Sequence, residues 1–147
     1  MSEAPLELDL SSDPRSLPDA REKVRRWAGE HEWNETQIGE VVLALDEALT
    51  NVIRHAYGGQ SGKKILVTVQ AIQDPDGGDG LEIRVRDFGR QVNPEDICGR
   101  DLDDIRPGGL GVHIIQALND SVEYRCAEGG GMLLVMRKFK APRVEKS

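Results

Sequence analysis

The sequence predicts an α/β sandwich of two layers, with helices packed on one face of a mixed, largely antiparallel sheet. Three observations point there. Residues 34–59 repeat apolar side chains at helical spacing, as one face of a long helix does. The segments 6–10, 63–72, 81–88 and 121–139 instead alternate apolar and polar residues, the period of half-buried strands. Glycine- and aspartate-rich turns join the later strands in pairs, so hairpins dominate and neighbouring strands run antiparallel.

Taken in order, "LELDL" (6–10) opens the chain as a strand. "SSDPRSLPDAREKVRRWAGEHE" supplies Ser and Asp caps and two prolines. A short helix through Val24 and Trp27 follows, ending near Gly29. "NETQIGEVVLALDEALTNVIRHAYGG" has Asn34 as N-cap, with Ile38, Val41, Val42, Leu45, Ala48, Leu49, Val52, Ile53 and Ala56 at helical spacing. Gly58 and Gly59 stop it. Strands 63–72 and 81–88 are joined by the turn "QDPDGGDG". Then "GRQVNPEDICGRDLDDIRPGG" has no sustained period and reads as a long loop. "GLGVHIIQALND" is a helix opened by glycines, and 121–139 is a second hairpin turning at Gly129, Gly130 and Gly131. A single domain over residues 1–139 is expected, long enough to bury a core, with a frayed tail at 140–147.

Composition excludes several classes. No apolar run approaches the roughly 18 residues that span a bilayer. The opening "MSEAPLELDL" has neither a basic n-region nor an apolar h-region, so no secretory leader is expected. Cys98 and Cys126 lie far apart in no metal-ligand spacing, which suits a reducing, cytoplasmic setting. A formal charge of −7 argues against a nucleic-acid binder, and the one basic cluster, "REKVRR", reads as a surface patch. A protein partner fits better. "GGQSGKK" fails as a P-loop and "DPDGGDG" as a calcium loop, because the key positions carry the wrong residues. Trp27 and Trp33 read as packing residues.

Three stretches could carry chemistry. Glu47, Asn51 and His55 fall four apart on the long helix and form one ridge away from its apolar side. Glu47 has no cationic partner at i+4, and Asn is a poor helix former for a position serving only solubility. In "RVRDFGR", Asp87 ends a strand as a strong acceptor for an amine or amide N–H, and Gly89 allows close approach of a flat ligand. In "RPGGLGVHII", Gly108, Gly109 and Gly111 open a helix whose N-terminal N–H groups welcome an anion. Taken singly, each is equally readable as a solvated face, an ordinary turn or a helix cap.

Their order makes the pattern specific. E-x-x-x-N on a long helix, then D-x-G after a strand, then G-x-G opening a helix, resembles the GHKL ATPase superfamily with its Bergerat fold. "NVIRHAYGG", "DFGRQVNPED" and "RPGGLGVHII" resemble the anti-sigma-factor serine/threonine kinases of RsbW and SpoIIAB type, from "LELDL" to "LLVMRK". The resemblance implies that Asn51 is the Mg²⁺ ligand, that Glu47 is the general base on a hydroxyl, and that Asp87 accepts from the adenine amino group. It implies that Gly89 leaves room for the base, and that Gly108, Gly109, Leu110 and Gly111 embrace the phosphates. Residues 95–107 would form a lid over ATP, and Arg106 would reach the γ-phosphate. His55 would support the helix end. His113 departs from the family pattern, which has an apolar residue there.

The implied function is an ATP-binding anti-sigma factor and protein kinase. It would phosphorylate a Ser or Thr on an anti-anti-sigma (STAS-domain) partner, sequester a sigma factor, and act as a cytoplasmic homodimer without nucleic-acid or membrane binding. The alternative is a regulatory module that holds ATP and a partner but phosphorylates nothing.

Overall fold

The computed structural model of the protein describes residues 4–75, 78–89 and 109–140. Strand β1 (Leu6–Ser11) leads through a 3-10 turn at Pro14–Ser16 into helix α1 (Leu17–Glu30). Helix α2 (Glu35–Asn51) starts with a complete capping box: the Gln37 amide donates to Asn34 Oδ1 at 2.8 Å, and the Gln37 side chain accepts from the Asn34 amide. Strands β2 (Lys64–Gln73) and β3 (Asp79–Asp87), helix α3 (Gly109–Leu118), and strands β4 (Ser121–Cys126) and β5 (Met132–Phe139) complete the described chain. The expected elements are all present, with ends displaced by a residue or two, except that the long helix expected to run to Gly58 is α-helical only to Asn51.

The five strands lie in the order β1-β2-β3-β5-β4. The sheet expected to be largely antiparallel is antiparallel at each of its four pairings. Register explains where the core sits, because side chains alternate between faces. One row reads Leu8, Val67, Val85, Leu134 and Tyr124; the next reads Leu6, Val69, Ile83, Met136 and Val122. Both rows meet the helices. Ala20, Val24, Leu45, Ala48 and Leu49 are buried against them, and α2 packs between α1 and α3. Trp27 and Trp33 are core residues, as expected, and Trp27 stacks on His31 at 3.8 Å. The other face carries Leu66, Thr68, Arg84, Arg86, Leu133 and Arg125 in register and, among the described residues, no helix.

That layering places two chemistry-bearing ends together. The third core-facing row begins Leu10, Ile65 and then, where an apolar residue would continue it, Asp87. A carboxylate therefore faces the helix layer from the last position of the central strand.

Candidate functional site

Helix α2 does not simply stop at Gly58. After Asn51 it widens into one π-helical turn, Val52–Ala56, closed by the Tyr57 amide donating to the Val52 carbonyl at 3.1 Å. Such turns insert one extra residue into a helix and often mark functional sites. Gly58 and Gly59 then adopt the left-handed region that only glycine enters freely, and the Gly59 amide donates to the Ile53 carbonyl at 2.8 Å. Glu47 and Asn51 are half-buried and lie one turn apart on the regular part of the helix. His55 lies inside the wide turn, so it is rotated off the ridge that even helical spacing would give. It is exposed overall. Burial of part of its imidazole, and then the charge of Arg54, hold its pKa below the ordinary value.

The residue that secures this helix end is Tyr57, which the sequence reading missed. Its buried hydroxyl donates to the Lys64 carbonyl at 2.6 Å and accepts from the Phe88 amide at 2.7 Å. Burial raises its pKa, so the hydroxyl keeps the proton it donates. One side chain thus joins the π turn, the start of β2 and the residue after Asp87. The available signal was an aromatic hydroxyl directly before a Gly-Gly stop, where a purely apolar residue would pack as well. Ser12, fully buried, anchors the following loop: its hydroxyl donates to the Gln60 carbonyl at 2.5 Å and accepts from the Lys63 amide at 3.0 Å.

Asp87 is 4% exposed. The Gly89 amide (2.9 Å) and the Met132 amide (3.3 Å) both donate to its Oδ1. Among the described residues Oδ2 has no protein donor, so it is the oxygen available to a ligand. Burial pushes the Asp87 pKa above the usual carboxylate range, outweighing the two amides and the neighbouring Arg86 charge, which act in the opposite direction. A desolvated acceptor of this kind gains from a donor such as an exocyclic amine, which returns the hydrogen bond lost on burial.

Gly89 has a structural duty of its own. A Cβ built there would fall 2.5 Å from the Ala56 carbonyl oxygen, so only glycine lets the strand end lie against the π turn. The expectation that Gly89 leaves space for a ligand therefore has a companion cause in the backbone of residue 56.

Gly109, Leu110 and Gly111 form the first turn of α3, where amides lack helical partners and the helix dipole is positive. Helix α3 packs on α2. His113 is exposed, which explains why a polar residue is tolerated there. Arg106, Gly108, Cys98 and the lid 95–107 lie outside the described residues. Among the described residues there is no cluster of three or more His, Cys, Asp or Glu side chains that could hold a metal ion. No described helix is long and apolar enough to cross a membrane.

The structure thus brings Asn51, Asp87 and Gly89 to one end of the molecule, through the Tyr57–Phe88 bond and the Gly89–Ala56 contact. The chain is also similar to several known proteins. A family model described as a histidine kinase-like ATPase domain matches residues 10–138. The serine-protein kinase RsbW of Listeria monocytogenes is 29% identical over 141 residues, covering 90% of this chain and 85% of that protein. The anti-sigma F factor of Clostridium acetobutylicum is 28% identical over 143 residues, covering 94% and 95%. A solved structure of RsbU and RsbW domains from Mycobacterium tuberculosis superposes on 95% of this chain with a TM-score of 0.64 at 20% identity. This chain spans 33% of that longer one, and the likeness is one of fold.

Proposed function

The chain belongs to the histidine kinase-like ATPase domain family, and from that premise we propose an ATP-dependent serine/threonine kinase that also acts as an anti-sigma factor. Its substrate is a hydroxyl on an anti-anti-sigma partner of STAS type, and its second partner is a sigma factor. It works as a cytoplasmic homodimer. The names carried by the RsbW and anti-sigma F relatives support this reading.

The observation that carries the nucleotide assignment is the state of Asp87. It is a buried carboxylate with one oxygen held by two backbone amides, placed beside the end of the helix that bears Asn51. Oδ2 accepts from the adenine amino group, and guanine, with a carbonyl at that position, is disfavoured. The residues fit Mg²⁺ as well. The Asn51 side-chain oxygen suits a hard cation that keeps several waters, so one protein ligand is sufficient alongside phosphate oxygens. When bound, the ion supplies charge neutralisation at the phosphates. Glu47, one turn before Asn51, takes the proton from the attacking hydroxyl. The first turn of α3, from Gly109 through Leu110 to Gly111, cradles the phosphates; the family resemblance adds Gly108 and, for the terminal phosphate, Arg106 of the segment 95–107, which lie outside the described residues.

Incubating the purified protein with γ-labelled ATP and STAS-domain proteins encoded beside it tests the proposal. Label on a Ser or Thr of one of them is the expected result. Tight ATP binding with no transfer to any partner would replace the kinase by a regulatory module.

A further inference from the structure

We propose that Arg86 is a positioning residue for nucleotide recognition, acting through Asp87 by clamping the β4–β5 turn onto the end of β3. The proposal rests on the reading of Asp87 as the adenine acceptor. Arg86 is adjacent to Asp87 in sequence but belongs to the opposite sheet face, in register with Leu66 and Leu133. Its guanidinium folds over the sheet end. Nε donates to the Asp87 carbonyl at 3.2 Å, and Nη2 donates to the carbonyls of Glu128 (3.1 Å) and Gly130 (2.9 Å). The cation also lies 4.3 Å from the centre of the Phe88 ring. One side chain therefore holds the strand end and the turn together.

That turn needs holding. Gly129, Gly130 and Gly131 have φ of 88°, 109° and 80°, so three consecutive residues of high intrinsic freedom are fixed in the left-handed region. Gly131 packs directly on Asp87: a Cβ there would lie 1.9 Å from the Asp87 carbonyl oxygen. Met132, the next residue, provides the amide that engages Asp87 Oδ1. If the turn loosens, that amide withdraws, Oδ1 keeps only the Gly89 amide, and Oδ2 is held less firmly in one direction. The bonds of Arg86 run to backbone carbonyls, so its effect on the nucleotide passes through Asp87. It secures the second of the two amides that engage Oδ1 and leave Oδ2 to be offered.

The experiment is a double-mutant cycle read by calorimetry with Mg-ATP and Mg-GTP. Arg86→Met keeps the apolar stem and removes the fork. It should weaken ATP binding by about tenfold, the scale of one hydrogen bond to a charged group, and leave GTP binding unchanged. Beside Asp87→Ala, the same substitution should have no further effect on ATP. Should Arg86→Met fail to fold, Arg86→Lys, which keeps charge without the fork, enters the same cycle, and its loss must likewise vanish beside Asp87→Ala. An equal loss in both backgrounds, an equal loss for ATP and GTP, or no loss at all overturns the clamp while leaving Asp87 in place. A wild-type protein with no preference for ATP over GTP, unaltered by Asp87→Ala, overturns both assignments.

Discussion

Asp87→Asn should make the protein more stable and worse at its task. Both backbone amides that engage Asp87 donate to Oδ1. An asparagine side chain will turn its oxygen to those donors, which puts Nδ2 where Oδ2 was. A donor then meets the adenine amino group, itself a donor. Asparagine is thus a stringent replacement here, because the geometry dictates which atom faces the ligand. Losing a charge-assisted hydrogen bond removes about 1.5–3 kcal/mol, or roughly ten- to 150-fold in affinity. With ATP at about 100 times its Kd, the wild-type protein gains about 2.7 kcal/mol. A variant binding about 30-fold more weakly gains about 0.9 kcal/mol at the same concentration. For a chain of this size those figures correspond to ATP-induced Tm shifts of about 5–11 °C and about 2–4 °C.

Without nucleotide the order reverses. The folded-state pKa of Asp87 is raised by burial, so the folded protein binds that proton more tightly than the unfolded chain does. Wild-type stability therefore falls as pH rises from the ordinary carboxylate value through the raised one. The variant lacks this loss, and its advantage should grow across that window and stay constant above it. Thermal melts against pH, with and without ATP, measure both effects. A variant less stable than wild type at neutral pH without ATP would mean that the ionised carboxylate gains more from its amides than it loses on burial. An undiminished ATP shift would remove Asp87 from the adenine site.

Two further substitutions probe the join between helix and strand. Tyr57→Phe strands the Phe88 amide and the Lys64 carbonyl; at about 1–3 kcal/mol for each buried group left unpaired, Tm should fall, and hydrogen exchange at Phe88 and Gly89 should accelerate. Unchanged exchange there would show that the hydroxyl does not hold the strand end. Gly89→Ala drives a methyl to 2.5 Å from the Ala56 carbonyl, an overpacking of about 1–3 kcal/mol, so Tm should drop by several degrees and ATP affinity with it. An unchanged Tm would mean that the π turn yields freely.

The long helix was legible because its signals are local: the Asn34–Gln37 box and the apolar repeat from Ile38 to Leu49 lie within one continuous segment. The strands were legible for the same reason, and their antiparallel pairing followed from short turns. The π turn was not. "VIRHA" keeps an ordinary helical period, and the groups that meet the wide turn, Gly89 against Ala56 and the Phe88 amide on the Tyr57 hydroxyl, come from a strand end about 30 positions later. Asp87 could be singled out as a strand-end carboxylate, but its surroundings come from other strands, with Ile65 as its register partner on β2 and the Met132 amide on β5. Arg86 gave no signal of its own, since an alternating charged residue on a strand reads as a solvated face.

The most direct test of the kinase mechanism separates transfer from binding at Glu47. Glu47→Gln preserves the helix and the shape while removing the proton acceptor. Single-turnover transfer from Mg-ATP to the STAS partner should slow by about 10²–10⁴-fold, with ATP affinity unchanged. Asn51→Ala should weaken Mg-ATP binding itself. Transfer at the wild-type rate by the Glu47→Gln protein would contradict the mechanism and leave the ridge as a binding wall.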